Sequence, residues 1–466
     1  MRWGAGALAG RQGIGHRHEL AGDLLTQPPS VGFLETVAES CFADQASRRE
    51  IVALSERWPV VPHGVKLSLA SADGIDSDKA ARLGALAREL GAPLVSEHVA
   101  VTTVGGRELG HLMPAPRCEA LIRVVAKNVS RARRSLPDVP LLLENIAAPF
   151  GFAEDAMPEA ELYGRIVEAT GCDLLLDVAN LYANAVNCGS DPVAIARAFP
   201  LERVGMVHLA GGILEDAFYF DTHAHPVPDA VFEVLSVVLQ AVPDVPILLE
   251  RDAHFDDGIG PLLSELDRAA ALRPAGAAAR QAVGAATARE LGEIASGEAS
   301  AFASDQAALA ALLLDEASPA GALVDSIGRI EIDRARRILG RKRVEDALPL
   351  LPRLARQARA VWPIAERALA AAGRAQRMQA VADALAIAEA VVEVETPALA
   401  DEARRDRLPL LTRFAMDHGA PAPRRGPFVA RERLSTNTVL WAVKGFGAGA
   451  PIRIHERGSR REQRAT

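Results

Sequence analysis

Six short apolar segments of this 466-residue chain end on, or close to, a carboxylate or an imidazole. In chain order these six side chains are His63, His98, Glu144, Asp177, His208 and Glu250. Three more ionisable residues, Asp221, His223 and His225, lie between the last two segments. Burying such a charged group without a partner costs several kcal/mol, or shifts its pKa until the group is neutral. A bound divalent cation removes that cost. The pattern therefore predicts a metal centre.

The candidate ligands outnumber the positions around one octahedral ion. We therefore expect two or three ions with a carboxylate between them, and Glu144, in the middle of the ligand-bearing segments, is the best candidate for that bridge. Imidazole mixed with carboxylate suits non-heme iron, manganese or zinc, and spacing alone does not choose among them. His225 remains an equal alternative to His223.

The apolar segments recur through the first part of the chain, within residues 13–16, 31–37, 59–65, 93–99, 139–145, 172–178, 203–210 and 245–251. Several are apolar at nearly every position, which is typical of parallel strands buried on both faces. Amphipathic stretches such as 77–92 and 118–136 separate them and predict helices. Eight strand–helix repeats predict an α/β fold, a (β/α)8 TIM barrel over residues 1–272, with an open doubly wound sheet as the alternative. The carboxyl ends of barrel strands meet at one rim, which would bring the six side chains together.

Composition changes near residue 273. Residues 273–304 are rich in Ala and Gly and predict a linker, and 305–466 predict a smaller, mainly helical C-terminal domain that ends in a short β-hairpin. A basic run on one predicted helix is either a solvated face or a groove for an acidic peptide; it comprises Arg334, Arg336, Arg337, Arg341, Lys342 and Arg343. The glycines within 444–451 precede a strand pattern, so we interpret them as a turn and not as a phosphate loop.

Charge and cysteine content restrict the class of protein. With 52 basic and 60 acidic residues the net charge is −8, which argues against a nucleic-acid-binding protein. The four cysteines form no CxxC pair, as is typical of a reducing compartment. Because no apolar segment is long enough to span a bilayer, we expect a cytoplasmic protein with no membrane or nucleic-acid partner.

Seven motifs, in this order, resemble those of the DUF692 family, the multinuclear non-heme iron-dependent oxidative enzymes (MNIO). They are HGVKLSLAS (63–71), LVSEH (94–98), LLLEN (141–145), LLLDVAN (174–180), VHLAGG (207–212), DTHAHPVPD (221–229) and LLERD (248–252). With GIGHR (13–17) and FLETVAES (33–40), the resemblance covers about residues 11–270.

The resemblance implies an iron-dependent oxidoreductase of RiPP biosynthesis, which oxidises cysteine residues of a ribosomally synthesised precursor peptide with O2 as co-substrate. It implies a TIM barrel with two or three iron ions in mixed Fe(II)/Fe(III) states. A partner protein would present the Cys-containing precursor peptide, or the C-terminal domain would fill that role. The implied iron ligands are His63, His98, Glu144, Asp177, His208, Asp221, His223 and Glu250. Among them Glu144, Asp177 and His223 are the catalytic candidates, and Asn180 and His225 are expected beside the metals or as further ligands.

The sequence departs from the family pattern at three places. Ala179-Asn180 stands where the family has two asparagines, Arg251 where it has tryptophan, and Ala38-Glu39-Ser40 where it has Pro-Glu-Asn.

Two other classes of function share the predicted metal site. One is a divalent-metal TIM-barrel isomerase or endonuclease of the xylose isomerase-like or endonuclease IV-like type, and the other is a non-catalytic, metal-dependent scaffold.

Overall fold

Eight parallel strands close into a barrel in the computed structural model of the chain. The structure describes residues 6–26, 31–275, 296–314, 321–372, 378–394, 396–417, 420–436 and 438–457. The strands up to residue 275 are β1 (Gln12–Gly15), β2 (Phe33–Val37), β3 (Val60–Gly64), β4 (Val95–His98), β5 (Val101–Val104), β6 (Arg107–Met113), β7 (Leu141–Glu144), β8 (Asp173–Asp177), β9 (Val204–Leu209), β10 (Ile213–Glu215), β11 (Phe218–Phe220) and β12 (Ile247–Leu249). The barrel order is β1-β12-β9-β8-β7-β4-β3-β2, so each of the eight predicted strands is present and the TIM-barrel prediction is confirmed.

Helices cover the outside of the barrel and follow its strands in sequence. They are α1 (Ala21–Thr26), α2 (Ala38–Ala43), α3 (Gln45–Leu54), α4 (Ser77–Leu90), α5 (Glu119–Arg133), α6 (Glu159–Thr170), α7 (Val178–Asn187), α8 (Pro192–Ala198), α9 (Asp229–Ala241), α10 (Gly260–Ala271), α11 (Ser296–Leu314) and α12 (Gly321–Ile327). The strand pairs β5–β6 and β10–β11 are antiparallel hairpins that follow β4 and β9. The sequence pattern did not predict either hairpin.

An apolar layer fills the barrel interior, and a polar layer lies directly above it. The apolar layer comprises Leu8, Phe33, Val61, Leu94, Leu142, Leu175, Met206 and Leu248. Each of the last seven of these residues is followed, two positions later in the chain, by a residue of a second set. This second set comprises Glu35, His63, Ser96, Glu144, Asp177, His208 and Glu250. Since alternate residues of a strand point to the same side, this shift by two places the second set in the barrel interior, nearer the carboxyl ends.

The first of two units comprises Met1–Leu312 and Ala317–Glu331. It includes most of α11, where the Gln306 side chain donates to the Ala70 carbonyl (2.7 Å) and accepts from the Ala72 backbone N–H (2.8 Å). Part of the predicted linker 273–304 lies outside the described residues, which omit 276–295. The predicted domain boundaries at 272 and 305 therefore stay predictions.

The second unit comprises Leu313–Glu316 and Ile332–Thr466. Its helices are α13 (Arg329–Ala347), α14 (Pro352–Ala355), α15 (Ala358–Ala371), α16 (Gln379–Val394) and α17 (Pro397–Arg413). Its strands are β13 (Phe414–Asp417), β14 (Ala420–Pro423), β15 (Phe428–Arg433), β16 (Val439–Lys444) and β17 (Ile452–Arg457). The prediction of helices followed by a small β-structure is confirmed; β15, β16 and β17 form an antiparallel three-stranded sheet, and β13 pairs with β14. Among the described helices of the chain, none is long and apolar enough to cross a membrane.

The close approach at Gly211 yields a prediction about the segment that carries Asp221 and His223. A Cβ on buried Gly211 would lie 2.3 Å from the carbonyl oxygens of His225 and Pro226, which are backbone atoms that cannot swing aside. We expect Gly211→Ala to lower the free energy of unfolding by about 1–3 kcal/mol. Gly164→Ala is the control, because nothing lies within 4 Å of a Cβ there in α6, and it should be neutral or stabilise by about 0.5–1 kcal/mol. Urea unfolding measures both variants, and unchanged stability of Gly211→Ala would contradict the close approach.

Candidate metal centre

The polar layer contains three overlapping groups of potential metal ligands. The groups are His63–His98–Glu144, Glu144–Asp177–His208 and Asp177–His223–Glu250, and within each the ligand atoms lie within 4.8 Å of one another. Glu144 belongs to the first two groups and Asp177 to the last two. The two oxygens of the Glu144 carboxylate face different groups, since Oε2 lies beside His63 and His98 and Oε1 lies beside His208.

Glu144 lies at the centre of the layer, 1% exposed. Its Oε2 is 3.4 Å from His63 Nε2 and 3.3 Å from His98 Nε2, and its Oε1 is 3.1 Å from His208 Nδ1. Burial raises the pKa of Glu144, but the three histidines outweigh burial and lower the pKa to about 2. The carboxylate is therefore ionised at neutral pH although it is buried.

The two histidines beside Glu144 are oriented through their other ring nitrogens. His98 Nδ1 donates to the Gly64 carbonyl at 3.3 Å, which turns its Nε2 toward Glu144. His63 Nδ1 is hydrogen-bonded to the Ser96 hydroxyl at 2.8 Å, and burial lowers the pKa of His63 to about 3. Such a bond at one nitrogen fixes the ring that ligates a metal through the other.

Asp177 ends β8 and caps the N-terminus of α7. Its Oδ1 accepts from the backbone N–H groups of Ala179 (2.7 Å) and Asn180 (2.8 Å). The Asn145 side chain holds the Asp177 backbone on both sides, since it accepts from the Asp177 N–H at 2.8 Å and donates to the Asp177 carbonyl at 3.0 Å. Burial raises the pKa of Asp177 to about 8. The other oxygen, Oδ2, points toward His223 Nε2 at 4.0 Å.

His208 lies among three carboxylates, and one of them is Glu35. Its Nε2 is 3.1 Å from Glu35, and its Nδ1 faces Glu144 at 3.1 Å and Glu250 at 3.5 Å. Burial raises the pKa of Glu35 to about 7 although His208 opposes the rise. Burial lowers the pKa of His208, but Glu35 and Glu144 outweigh it and raise the pKa well above its usual value.

The outer part of the layer contains His223, Asp221 and Glu250. His223 has a left-handed backbone (φ 50°), which is strained for a residue other than glycine. Its Nε2 is 2.9 Å from Asp221 Oδ2, and its Nδ1 is 3.2 Å from Glu250 Oε2. Arg17 follows β1 and contacts Glu250 Oε1 at 3.2 Å. The strained residue is therefore one whose ring belongs to the third ligand group.

Six buried polar atoms of this cluster have no hydrogen-bond partner among the described residues. They are Glu144 Oε2, Asp177 Oδ2, Asn180 Oδ1, His208 Nδ1, Asp221 Oδ1 and His223 Nε2. An unsatisfied buried polar atom costs about 1–3 kcal/mol, so six of them together would be a large defect in an ordinary core. Each of the six can donate a lone pair to a cation, the two histidine nitrogens once their rings have lost a proton. The residues therefore fit metal ions.

The structure brings the eight predicted ligands together at one end of the barrel; Asp221 joins through its contact with His223. Asn180 lies beside them, and its side-chain N–H donates to the Asn145 carbonyl at 3.0 Å. His225 lies outside the three groups, and its ring is 5.6 Å from that of His254. Sequence reasoning missed Glu35, Ser96, Asn145 and Arg17. The signal for the first two was their position two residues after an apolar residue of the interior layer.

The chain is similar to known proteins mainly over its barrel. A family model described as "RiPP precursor modification enzyme MbnB/TglH/ChrH" matches residues 11–273. A UPF0276 protein of Streptomyces avermitilis is 39% identical over 252 residues, 53% of this chain and 51% of that protein. The chain thus spans about half the length of that relative. A UPF0276 protein of Caulobacter vibrioides (strain NA1000 / CB15N) is 38% identical over 255 residues, 54% of this chain and 89% of that protein.

Two solved structures resemble the barrel at low sequence identity. Endonuclease IV from Thermus thermophilus is 21% identical with a TM-score of 0.39, over 55% of this chain and 99% of that one. A xylose isomerase domain protein from Planctomyces limnophilus is 14% identical with a TM-score of 0.39, over 56% of this chain and 96% of that one.

A second polar network supports the segment that follows Glu144. The Asn184 side chain accepts from the Ala148 N–H at 2.8 Å and donates to the Ile146 carbonyl at 2.9 Å. It also donates to both carboxylate oxygens of Glu159 at 3.2–3.3 Å. Burial raises the pKa of Glu159 to about 7, with Asn184 opposing the rise.

This network predicts a pH-dependent stability. The folded protein keeps the Glu159 proton up to about pH 7, whereas the unfolded chain loses it near its usual pKa of 4.5, so stability falls as pH rises between these values. Glu159→Gln removes that loss. We therefore expect the free energy of unfolding of the variant, relative to that of the wild type, to increase by about 1–3 kcal/mol from about pH 5 to about pH 8. Glu161→Gln, exposed on the same helix, should show no such gain. Thermal unfolding at the two pH values checks both, and parallel behaviour of the two variants would contradict the prediction.

Proposed function

The chain belongs to the MbnB/TglH/ChrH family of RiPP precursor modification enzymes, and we propose that it oxidises cysteine residues of a precursor peptide at a centre of two or three non-heme iron ions, with O2 as co-substrate. The observation that supports the proposal most is the sharing of Glu144 and Asp177 among three ligand groups. Shared carboxylates are suited to ions held next to each other, and mixed imidazole and carboxylate ligands suit non-heme iron.

We assign the iron ligands to His63, His98, Glu144, Asp177, His208, Asp221, His223 and Glu250. When bound, iron would lower the pKa of the substrate thiol, ligate the resulting thiolate and provide a site for O2. The protein holds the ligand atoms ready for it. Ser96 and the Gly64 carbonyl orient His63 and His98, Glu35 orients His208, and the α7 N-terminus orients Asp177.

Exposure indicates the side from which a peptide would approach. His63, Glu144, Asp177 and His208 are at most 2% exposed, whereas the side chains of Asp221 and His223 are 13% and that of Glu250 is 11% exposed. We propose that the substrate cysteine reaches the centre on the side of His223. The Asp221 and Glu250 carboxylates beside the two nitrogens of His223 then set the orientation and proton occupancy of its ring next to the substrate. Glu144 and Asp177 would hold the centre from its buried inner side.

Metal content and O2 uptake test the proposal. Protein purified without oxygen from iron-supplemented cells should carry about two to three iron ions per chain, because the candidate ligands exceed the needs of one ion. Elemental analysis gives the stoichiometry, and an oxygen electrode measures O2 uptake with Cys-containing peptides. Zinc, manganese or magnesium without O2 uptake would contradict the proposal and favour the divalent-metal isomerase or endonuclease.

Glu144→Gln tests the position of the centre. The amide keeps the shape of the side chain but removes the charge, so we expect loss of at least one iron ion and of peptide oxidation, with the fold retained by circular dichroism. Glu89→Gln is the matched control, because that exposed residue of α4 pairs with Arg48 on the surface. It should keep full iron content and change stability by less than about 1 kcal/mol. Full iron content in Glu144→Gln would show that the centre lies elsewhere.

A further inference from the structure

The outer face of the three-stranded sheet in the second unit has an unusual distribution of side chains. Strand pairing places residues in three rows across β15, β16 and β17 on this face: Val429–Val443–Arg453, Arg431–Trp441–His455 and Arg433–Val439–Arg457. Directly paired residues of antiparallel strands share a face. We call these nine residues the basic sheet face. Its central strand is apolar, and its two outer strands together carry four arginines.

The acidic residues of the same sheet lie on its other face. Glu432 and Glu456 share one row with Leu440. Arg407 of α17 bonds Glu432 at 2.7 Å, and Arg405 bonds Glu456 at 3.1 Å. Leu440 and Ala442 pack there with Leu408 of α17. The helix thus neutralises the carboxylates of the sheet, which leaves the opposite face with positive charge alone.

The basic sheet face is exposed. Val429 is 53%, Trp441 37% and Val443 40% exposed. Arg431 lies over the Trp441 ring at 5.8 Å, and none of the four arginines pairs with a carboxylate in the described part of the chain. Exposed tryptophan beside aliphatic side chains and arginine is the composition of interaction sites.

The basic run on α13, predicted as a candidate groove, is by contrast partly neutralised within its own unit. Arg343 is mostly buried and bonds both carboxylate oxygens of Asp383 at 2.7 and 3.0 Å. Lys342 pairs with Glu345 at 3.3 Å, and Arg336 lies 3.9 Å from Asp333. On this helix the positive charge is therefore partly balanced, whereas the arginines of the basic sheet face have no carboxylate partner in the described part of the chain.

We propose that the basic sheet face binds an acidic, extended segment of the peptide substrate, a role that rests on the function proposed above. Arginines two positions apart on one strand, such as Arg431 and Arg433, are separated by about 6.7 Å, which is also the repeat of alternate side chains in an extended peptide. A segment lying along β16 would direct carboxylates to the arginines on either side. Its apolar side chains would pack on Trp441 and Val443.

The same face fits a nucleic-acid strand less well. Single strands bind through bases stacked on successive aromatic rings along the strand, whereas the two rings among the nine residues, Trp441 and His455, lie side by side in one row. The remainder of the central strand is aliphatic, and the whole chain carries a net charge of −8. An acidic peptide with apolar side chains matches both the charge and the apolar stripe.

Fluorescence anisotropy on the full chain tests this surface. The probe is a fluorescein-labelled peptide of about ten residues with a Glu-Glu-Leu-Leu repeat, so that an extended chain presents both Glu and Leu to the sheet. The double variant Arg431→Ser/Arg453→Ser should raise its Kd at least about fivefold, and Trp441→Ser should raise it too. The matched control Arg356→Ser/Arg359→Ser removes two exposed arginines of the same unit and should change Kd less than about twofold. Circular dichroism checks that each variant is folded.

Four outcomes would overturn the proposal. The first three are absence of peptide binding up to about 1 mM, equal weakening by both arginine pairs, and tighter binding of an oligothymidine of similar length that the sheet variants weaken. A probe with Gln in place of Glu should bind more weakly, and equal affinity would also contradict the proposal. Since the assay needs neither iron nor turnover, its failure is distinguishable from failure of the iron chemistry.

Discussion

Carboxylates buried inside an aliphatic barrel must be neutralised, and the architecture of the first unit depends on how this is achieved. Glu35, Glu144, Asp177 and Glu250 lie in one layer, where an unpaired charge would cost about several kcal/mol. Histidines neutralise part of this charge, and Arg17 contacts only the outer edge. The remaining lone pairs on Glu144, Asp177, His208 and His223 have no hydrogen-bond partner in the described residues, so the layer is built for cations.

The layer is precise because backbone groups and amide side chains orient its members. Asn145 binds both sides of the Asp177 peptide backbone, and Asn184 binds the segment after Glu144. Tyr163 donates to the Glu144 carbonyl at 3.2 Å. These contacts restrict rotation of the ligands before any ion binds, which reduces the entropy that binding must overcome. The least exposed candidate ligands lie deepest in the barrel, and the more exposed His223 and Glu250 lie on the side proposed for the substrate.

The second unit separates charge in a different way. Arg405 and Arg407 of α17 pair with the carboxylates on one face of the sheet, and the arginines of the other face remain available for a partner. The first unit holds the residues for metal chemistry, and the proposed recognition of the peptide lies in the second. Under this proposal, binding and oxidation depend on different side chains, so variants can separate them.

The sequence by itself determined the barrel and its eight candidate ligands, and the family membership is confirmed. It did so because parallel strands buried on both faces are apolar throughout, so an ionisable residue at the end of six of them is conspicuous, and because barrel strands converge at one rim. Tertiary structure alone decided the partners. Glu35 lies inside its apolar segment and not at the end, and it became visible only once the interior register was known. Asn145 acts through backbone bonds, and the basic sheet face exists only in the register that aligns β15, β16 and β17. Such contacts depend on which strand lies beside which, and the composition of a single segment does not contain that information.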